Sequence, residues 1–243
     1  MRFTYAGCSN IGAVRRENED AILMRACENA GLFLVADGIG GAAFGSVISG
    51  MIRDSYAQWW EEEFLPHQSE LGFSAVIQAL KEVLSQINRK VIISYGEMEA
   101  GSTITLLFIF KGSCVWISAG DSRLYRARAL SCKQLTRDDT VANLVEKPHW
   151  ARNASGGQLV GAVGIRNTLE YSIGTDVIKR GDRFFVCSDG VYRFISSRKL
   201  ERLLLLPCIS FVPDIILKKV SNIVEINGAG DNYSMILVRA DNA

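Results

Sequence analysis

Two stretches of the chain repeat apolar side chains at three-to-four spacing. After Gly41 the series Val47, Ile48, Met51, Ile52, Ser55, Tyr56 and Trp59 predicts an amphipathic helix, and Phe73, Val76, Ile77, Leu80, Val83, Leu84, Ile87 and Val91 predict a second. Each helix has one face to bury, and Trp59 and Trp60 are expected in the core. Short apolar or alternating runs at 32–37, 103–110, 114–119, 124–129, 169–178, 183–187 and 234–238 predict strands, several of them joined by short turns that contain glycine. Helical patterning returns at 140–146, 197–205 and 213–226, the last opened by Pro213, which suits a first helical turn.

Through the middle of the chain strand follows strand, whereas a parallel α/β fold alternates strand with helix. The pattern therefore predicts antiparallel sheets flanked by helices. No Pro- or Ser-rich linker divides the sequence, no internal repeat is visible, and 147–161 reads as one long loop. A single domain over residues 1–243 is expected.

Composition narrows the function classes. The 243 residues carry 27 Lys+Arg against 26 Asp+Glu, a formal charge of +1, and 48% are hydrophobic. This is ordinary soluble globular composition. A near-neutral balance without blocks of like charge argues against nucleic acid or an anionic membrane as the main partner. The longest apolar stretch, 203–212, contains Pro207 and falls well short of the roughly 20 residues that a membrane span needs. Residues 1–9 have neither the apolar core nor the cleavage site of a signal peptide, so a cytoplasmic protein is expected. Cys8, Cys27, Cys114, Cys132, Cys187 and Cys208 are scattered singly, which fits reduced structural thiols better than zinc ligands or disulfides.

The chemistry lies in the aspartates. Three apolar strands end in Asp37-Gly38, Asp121-Ser122 and Asp189-Gly190; Asp231-Asn232 precedes a fourth, and Glu19-Asp20 adjoins apolar residues 21–24. One Asp-Gly pair usually marks only a turn, but their repetition at strand ends predicts carboxylates delivered to one rim of a sheet core. Two carboxylates about 5 Å apart repel by roughly 3 kcal/mol at an effective dielectric near 20, and these motifs contain no lysine to offset it. A bound cation would. An oxygen-only donor set favours Mg²⁺ or Mn²⁺, and the absence of a His/Cys cluster argues against zinc. Two ions sharing a bridging aspartate can hold and deprotonate a water and clamp a phosphoryl group, which is hydrolytic chemistry.

The series RRENEDA (15–21), LFLVADGIGG (32–41), GST (101–103), AGDSRLY (119–125), QLTRDD (134–139), CSDG (187–190) and GDNYS (230–234) resembles the metal-dependent phosphatases of the protein phosphatase 2C family, most of all the compact bacterial serine/threonine type. The motifs span nearly the whole chain in the right order. The resemblance implies an α+β fold, a central antiparallel β-sandwich flanked by helices on both faces in four αββα layers. It also implies hydrolysis of phosphoserine and phosphothreonine by a water bridging two Mn²⁺ or Mg²⁺ ions, without a phosphoenzyme. Position by position, Asp37 would bridge the metals while the Gly38 carbonyl binds one, and Asp189 and Asp231 would complete the other shell. Asp20, with Glu19 beside it, would act on the same centre directly or through water, and Asp121 matches a position that helps hold a third, weaker metal. Arg15 falls where the family places its phosphate-binding arginine, whose planar fork suits a pair of phosphate oxygens. Implied partners are phosphorylated proteins and a cognate serine/threonine kinase or its substrates, in bacterial signal transduction, with a monomer as the default state.

The sequence departs from the family where members carry histidine: Ile39, Ala42 and Asp139 stand there instead. Only His67 and His149 are present, which leaves a metal-held water or His149 as the leaving-group acid. Asn232 and Ser188 are expected to orient neighbouring aspartates, and Cys187 to point away from the rim. Two rival readings remain: a catalytically weak phosphoprotein-binding regulator of the same fold, and a dinucleotide-binding oxidoreductase built on the GxGxxA spacing of Gly38, Gly40 and Ala43. Against the second, Asp37 would set negative charge beside a pyrophosphate.

Overall fold

The computed structural model describes residues 1–40, 42–98, 100–143, 159–206 and 211–241. In chain order its strands are β1 (Phe3–Asn10), β2 (Asp20–Cys27), β3 (Ala30–Ile39), β4 (Gly101–Ser102), β5 (Ile104–Phe110), β6 (Ser113–Ala119), β7 (Arg123–Arg128), β8 (Ser131–Gln134), β9 (Ser172–Val177), β10 (Arg183–Cys187) and β11 (Tyr233–Ala240). Helix α1 (Ala42–Trp59) continues through a π-helical turn, Trp60–Phe64, into α2 (Leu65–His67). The long α3 (Phe73–Tyr95) follows, then α4 (Asp189–Tyr192), α5 (Ser197–Leu204) and α6 (Pro213–Ile226).

Two antiparallel sheets face each other. One has the order β1-β11-β10-β7-β8 and the other β2-β3-β5-β6-β9, with β4 paired to β3. Alternation along each strand builds three apolar layers. Phe33 and Val35 of β3 meet Phe184, Val186, Ile236 and Val238 of the opposite sheet. Leu32, Leu34 and Ala36 turn outward against Ile48, Ile52 and Tyr56 of α1 and Leu80 and Leu84 of α3. On the far side Phe185, Cys187 and Leu237 pack under Leu200 of α5 and Ile216, Val220 and Val224 of α6. The result is the expected αββα sandwich. Because both faces of β3, β5, β10 and β11 are covered, their sequences read as unbroken apolar runs.

The strands that the pattern did not reveal are the two-residue β4 and, at sheet edges, β1, β2 and β8. The side chains of these edge strands are mostly half-buried or exposed, so no clean apolar alternation survives in the sequence. Within the helix predicted at 140–146 there is a 3₁₀ turn, Val141–Asn143; residues 144–158, His149 among them, lie outside the described residues. The strand predicted from 169 begins at Ser172, because Leu169 and Tyr171 pack against the α1/α3 layer instead. The dinucleotide reading fails on topology. Gly38 lies inside β3, which is antiparallel to both β2 and β5, and so does not open a parallel βαβ crossover. Cys8, Cys27, Cys114, Cys132 and Cys187 are free thiols, and Cys208 lies outside the described residues. Among the described residues no helix is long and apolar enough to cross a membrane.

Candidate active site

Antiparallel pairing brings the start of β2 beside the end of β3, and the same end of the sandwich receives the residues after β6 and β10 and before β11. A cavity of about 710 Å³ opens there, lined by Arg15, Glu19, Asp37, Gly38, Asp121, Asp189 and Asp231, with Arg193, Thr103 and Asn232 completing the polar wall. Ile39, Leu159 and Ile165 form an apolar flank. Of the residues expected at the site, only Asp20 does not reach the lining. It stands opposite Asp37 on the neighbouring strand and accepts a hydrogen bond from the Ser188 hydroxyl at 2.8 Å, while Ser188 Oγ in turn accepts one from the Ser234 N–H at 2.9 Å.

Backbone contacts fix the carboxylates. The Asp37 N–H donates to Thr103 Oγ1 at 3.1 Å, and its carbonyl accepts from the Thr103 N–H at 2.8 Å and the Ser102 hydroxyl at 3.0 Å. Gly38 must lack a side chain, since a Cβ there would meet the Gly45 backbone of α1 at 2.4 Å. Gly120, at φ 107°, turns the chain after β6 so that Asp121 enters the cavity. This turn is pinned by Asp139, which accepts from the Gly120 N–H at 3.0 Å. At the opposite wall the Asn232 amide donates to the carbonyls of Ile11 at 2.8 Å and Glu17 at 2.9 Å, and its oxygen accepts from the Glu19 N–H at 2.9 Å. One side chain thereby clamps the segment that carries Arg15 and Glu19 onto β11.

Carboxylate crowding shows in the protonation equilibria. Burial raises Asp20 to about 6. It raises Asp189 to about 7, with Asp121 adding to the shift. Asp37 is pushed well above the ordinary range, first by burial and then by the charges of Asp20, Asp189, Asp121 and Asp231. Burial likewise raises Glu19 and Asp121. Two arginines answer part of this charge. Arg15 forks onto Asp231 at 2.8 and 3.0 Å, and Arg193 lies 2.8 Å from Asp189.

Whether these residues fit a divalent metal is tested by what the chain leaves unsatisfied. Glu19 Oε1 and Asp20 Oδ1 are buried and have no hydrogen-bond partner among the described residues. Oxygens of this kind are costly unless a cation or water meets them. Among the described residues no group of three His, Cys, Asp or Glu side chains is drawn close enough to enclose an ion unaided. Mg²⁺ usually keeps several waters and takes only one or two carboxylates, so a closed cage of side chains is not a requirement for it.

Sequence reasoning did not single out Arg193 or Tyr192, and it gave Thr103 only as part of the GST motif, with no role. The available signal for Arg193 was its spacing, four residues after Asp189 at the start of a helix. His67 stands away from the cavity at the end of α2, with Nδ1 2.9 Å from the Glu63 carbonyl.

A carboxylate-lined, arginine-rimmed cavity at one end of an antiparallel sandwich has the architecture of a metal-assisted phosphoester hydrolase. No protein-family profile matches the chain. The serine/threonine phosphatase stp of Listeria monocytogenes is 24% identical to it over 243 residues, covering 95% of this chain and 93% of that protein. Among solved structures, PppA, described as a key regulatory component of T6SS in Pseudomonas aeruginosa, has a TM-score of 0.81 at 30% identity, over 99% of this chain and 98% of that one. The catalytic domain of the serine/threonine phosphatase PstP, solved in complex with two manganese ions, has a TM-score of 0.81 at 24% identity, over 99% of both chains. The chain belongs to the protein phosphatase 2C-like family of serine/threonine phosphatases.

Proposed function

We propose that the cavity is the catalytic centre of a protein serine/threonine phosphatase that works with two Mn²⁺ or Mg²⁺ ions, acting as one domain over residues 1–243. The observation that carries this reading is the convergence of Glu19, Asp37, Asp121, Asp189 and Asp231 with Arg15 on one cavity. Asp37, the Gly38 carbonyl, Asp189 and Asp231 are the groups that would hold the ions, with Glu19 and Asp20 supporting them. When bound, the ions supply an activated water and neutralise charge on the phosphoryl group.

The remaining work falls to the chain. Arg15, half-exposed at the mouth, presents a fork that can leave Asp231 for two phosphate oxygens. Thr103 and Ser102 hold the Asp37 backbone rigid, and Asn232 keeps Arg15 and Glu19 in register with Asp231. Ile39 and Ile165 give the peptide an apolar surface beside the phosphate. We further infer that the substrates are phosphoproteins made by a serine/threonine kinase in bacterial signal transduction, and that the enzyme works in the cytoplasm.

The test is hydrolysis of phosphothreonine, phosphoserine and phosphotyrosine peptides with Mn²⁺, Mg²⁺ or chelator. Turnover of the first two that requires metal is expected. Metal-independent turnover, or none with either ion, would overturn the assignment.

A further inference from the structure

Asp121 and Asp189 stand on different elements, one after β6 and the other at the start of α4, yet a single side chain touches both. Arg193 Nη2 lies 2.8 Å from Asp189 Oδ2 and 3.5 Å from Asp121 Oδ2. Local geometry sets this arrangement. Arg193 closes α4 one turn after Asp189, its N–H donating to the Asp189 carbonyl at 3.0 Å, so the guanidinium lies on the same face as the carboxylate.

Asp121 is held from a second side. The Tyr192 hydroxyl donates to the same Oδ2 at 3.2 Å, and the Arg123 guanidinium covers the Tyr192 ring at 3.5 Å from its centroid. Arg123 is in turn forked onto Asp138 at 2.6 and 3.0 Å. Asp121 Oδ2 is therefore engaged by two donors belonging to a braced network.

Arg15 differs in kind. It reaches Asp231 across 216 positions of sequence and touches that one carboxylate, so it can swing away to a ligand. Arg193 is tethered beside its partner and would expose two buried carboxylates if it left. The buried oxygens without a hydrogen-bond partner, Glu19 Oε1 and Asp20 Oδ1, are not among Arg193's contacts.

Resting on the reading of the cavity as a divalent-metal phosphatase centre, we propose that Arg193 is the resident cation between Asp121 and Asp189 and limits the site to two divalent ions. The Arg193 guanidinium takes one oxygen of each carboxylate and sets positive charge where a further ion would have to stand, so the two repel. Asp189 keeps its second oxygen for the two-ion centre. Asp121 is thereby a ligand of the protein's own arginine and not of a third metal.

The experiment counts Mn²⁺ bound per full-length chain by equilibrium dialysis with elemental analysis, for the wild type, Arg193→Gln and Arg193→Lys. Two ions are expected for the wild type, a third and weaker one for Arg193→Gln, and two for Arg193→Lys, which restores the charge. Adding Asp121→Asn to Arg193→Gln should remove the third ion. Three ions on the wild type, or two on a folded Arg193→Gln, would overturn the assignment of Arg193 while leaving the phosphatase reading intact. A wild type that binds no Mn²⁺ and hydrolyses no phosphothreonine peptide would remove both.

Discussion

Asp20 and Asp37 are directly opposed residues of neighbouring antiparallel strands, the first position of β2 against the eighth of β3. Like charges directly opposed across a sheet are destabilising. Here the conflict is deepened by Asp189, Asp121 and Asp231, all of which raise the Asp37 carboxyl further. The bare protein therefore holds unfavourable electrostatics at the place where a divalent ion would be stabilising.

Asp37→Asn tests this directly. It keeps the shape and removes the carboxyl whose ionised form burial and the neighbouring charges penalise most. In chelator the variant should melt several degrees above the wild type, while turnover of a phosphothreonine peptide falls by more than about 100-fold. A lower melting temperature in chelator would contradict the repulsion account.

The pH dependence has a defined sign. Asp20 titrates at about 6 and Asp189 at about 7, above the usual carboxylate value. The folded state thus binds more protons than the unfolded chain, and the stabilisation is complete below pH ~4 and lost as pH rises through about 7. In chelator the melting temperature should fall between pH 5 and about 8, and saturating Mn²⁺ should flatten or reverse that slope. Thermal melts across pH with and without metal would check this, and identical slopes in both would refute it.

Arg15→Ala should leave folding nearly unchanged, because the side chain is 47% exposed and pairs only with Asp231. Loss of a charge-assisted phosphate contact of about 1.5–3 kcal/mol corresponds to roughly a 10–100-fold drop in kcat/KM. Arg15→Lys should recover only part of it, since a point charge cannot reproduce the fork. Steady-state kinetics on the phosphothreonine peptide decides this, and full activity of Arg15→Ala would exclude a phosphate role.

Asn232→Ala removes the three hydrogen bonds that tie residues 11, 17 and 19 to β11. A loss of about 2–4 kcal/mol in stability is expected, together with a 10- to 100-fold weakening of Mn²⁺ binding as Glu19 loses its orientation. Denaturant unfolding and metal titration measure the two separately. A stability loss with unchanged Mn²⁺ affinity would confine Asn232 to a structural role.

Much of the architecture was legible because burial writes itself into local pattern. Helix α6 was expected over 213–226 and is found at Pro213–Ile226. The central strands announced themselves as apolar runs because helices and a second sheet cover both their faces. The edge strands β1, β2 and β8 did not, since half-exposed positions accept almost any side chain. At the site, carboxylates repeated at strand ends were visible as a series, whereas Arg15 was marked only by the family resemblance.

Local sequence determines which residues stand at the ends of strands, because alternation and turn chemistry act over a few positions. It carries no information about which strand ends meet. Only the pairing of distant segments placed Asp20 opposite Asp37 with Glu19 at the cavity wall, set Asn232 as the clamp of the Arg15 segment, and left Arg193 between Asp121 and Asp189. The physical reason is that charge repulsion, desolvation and hydrogen bonding depend on distance in space, and for these groups folding alone sets that distance.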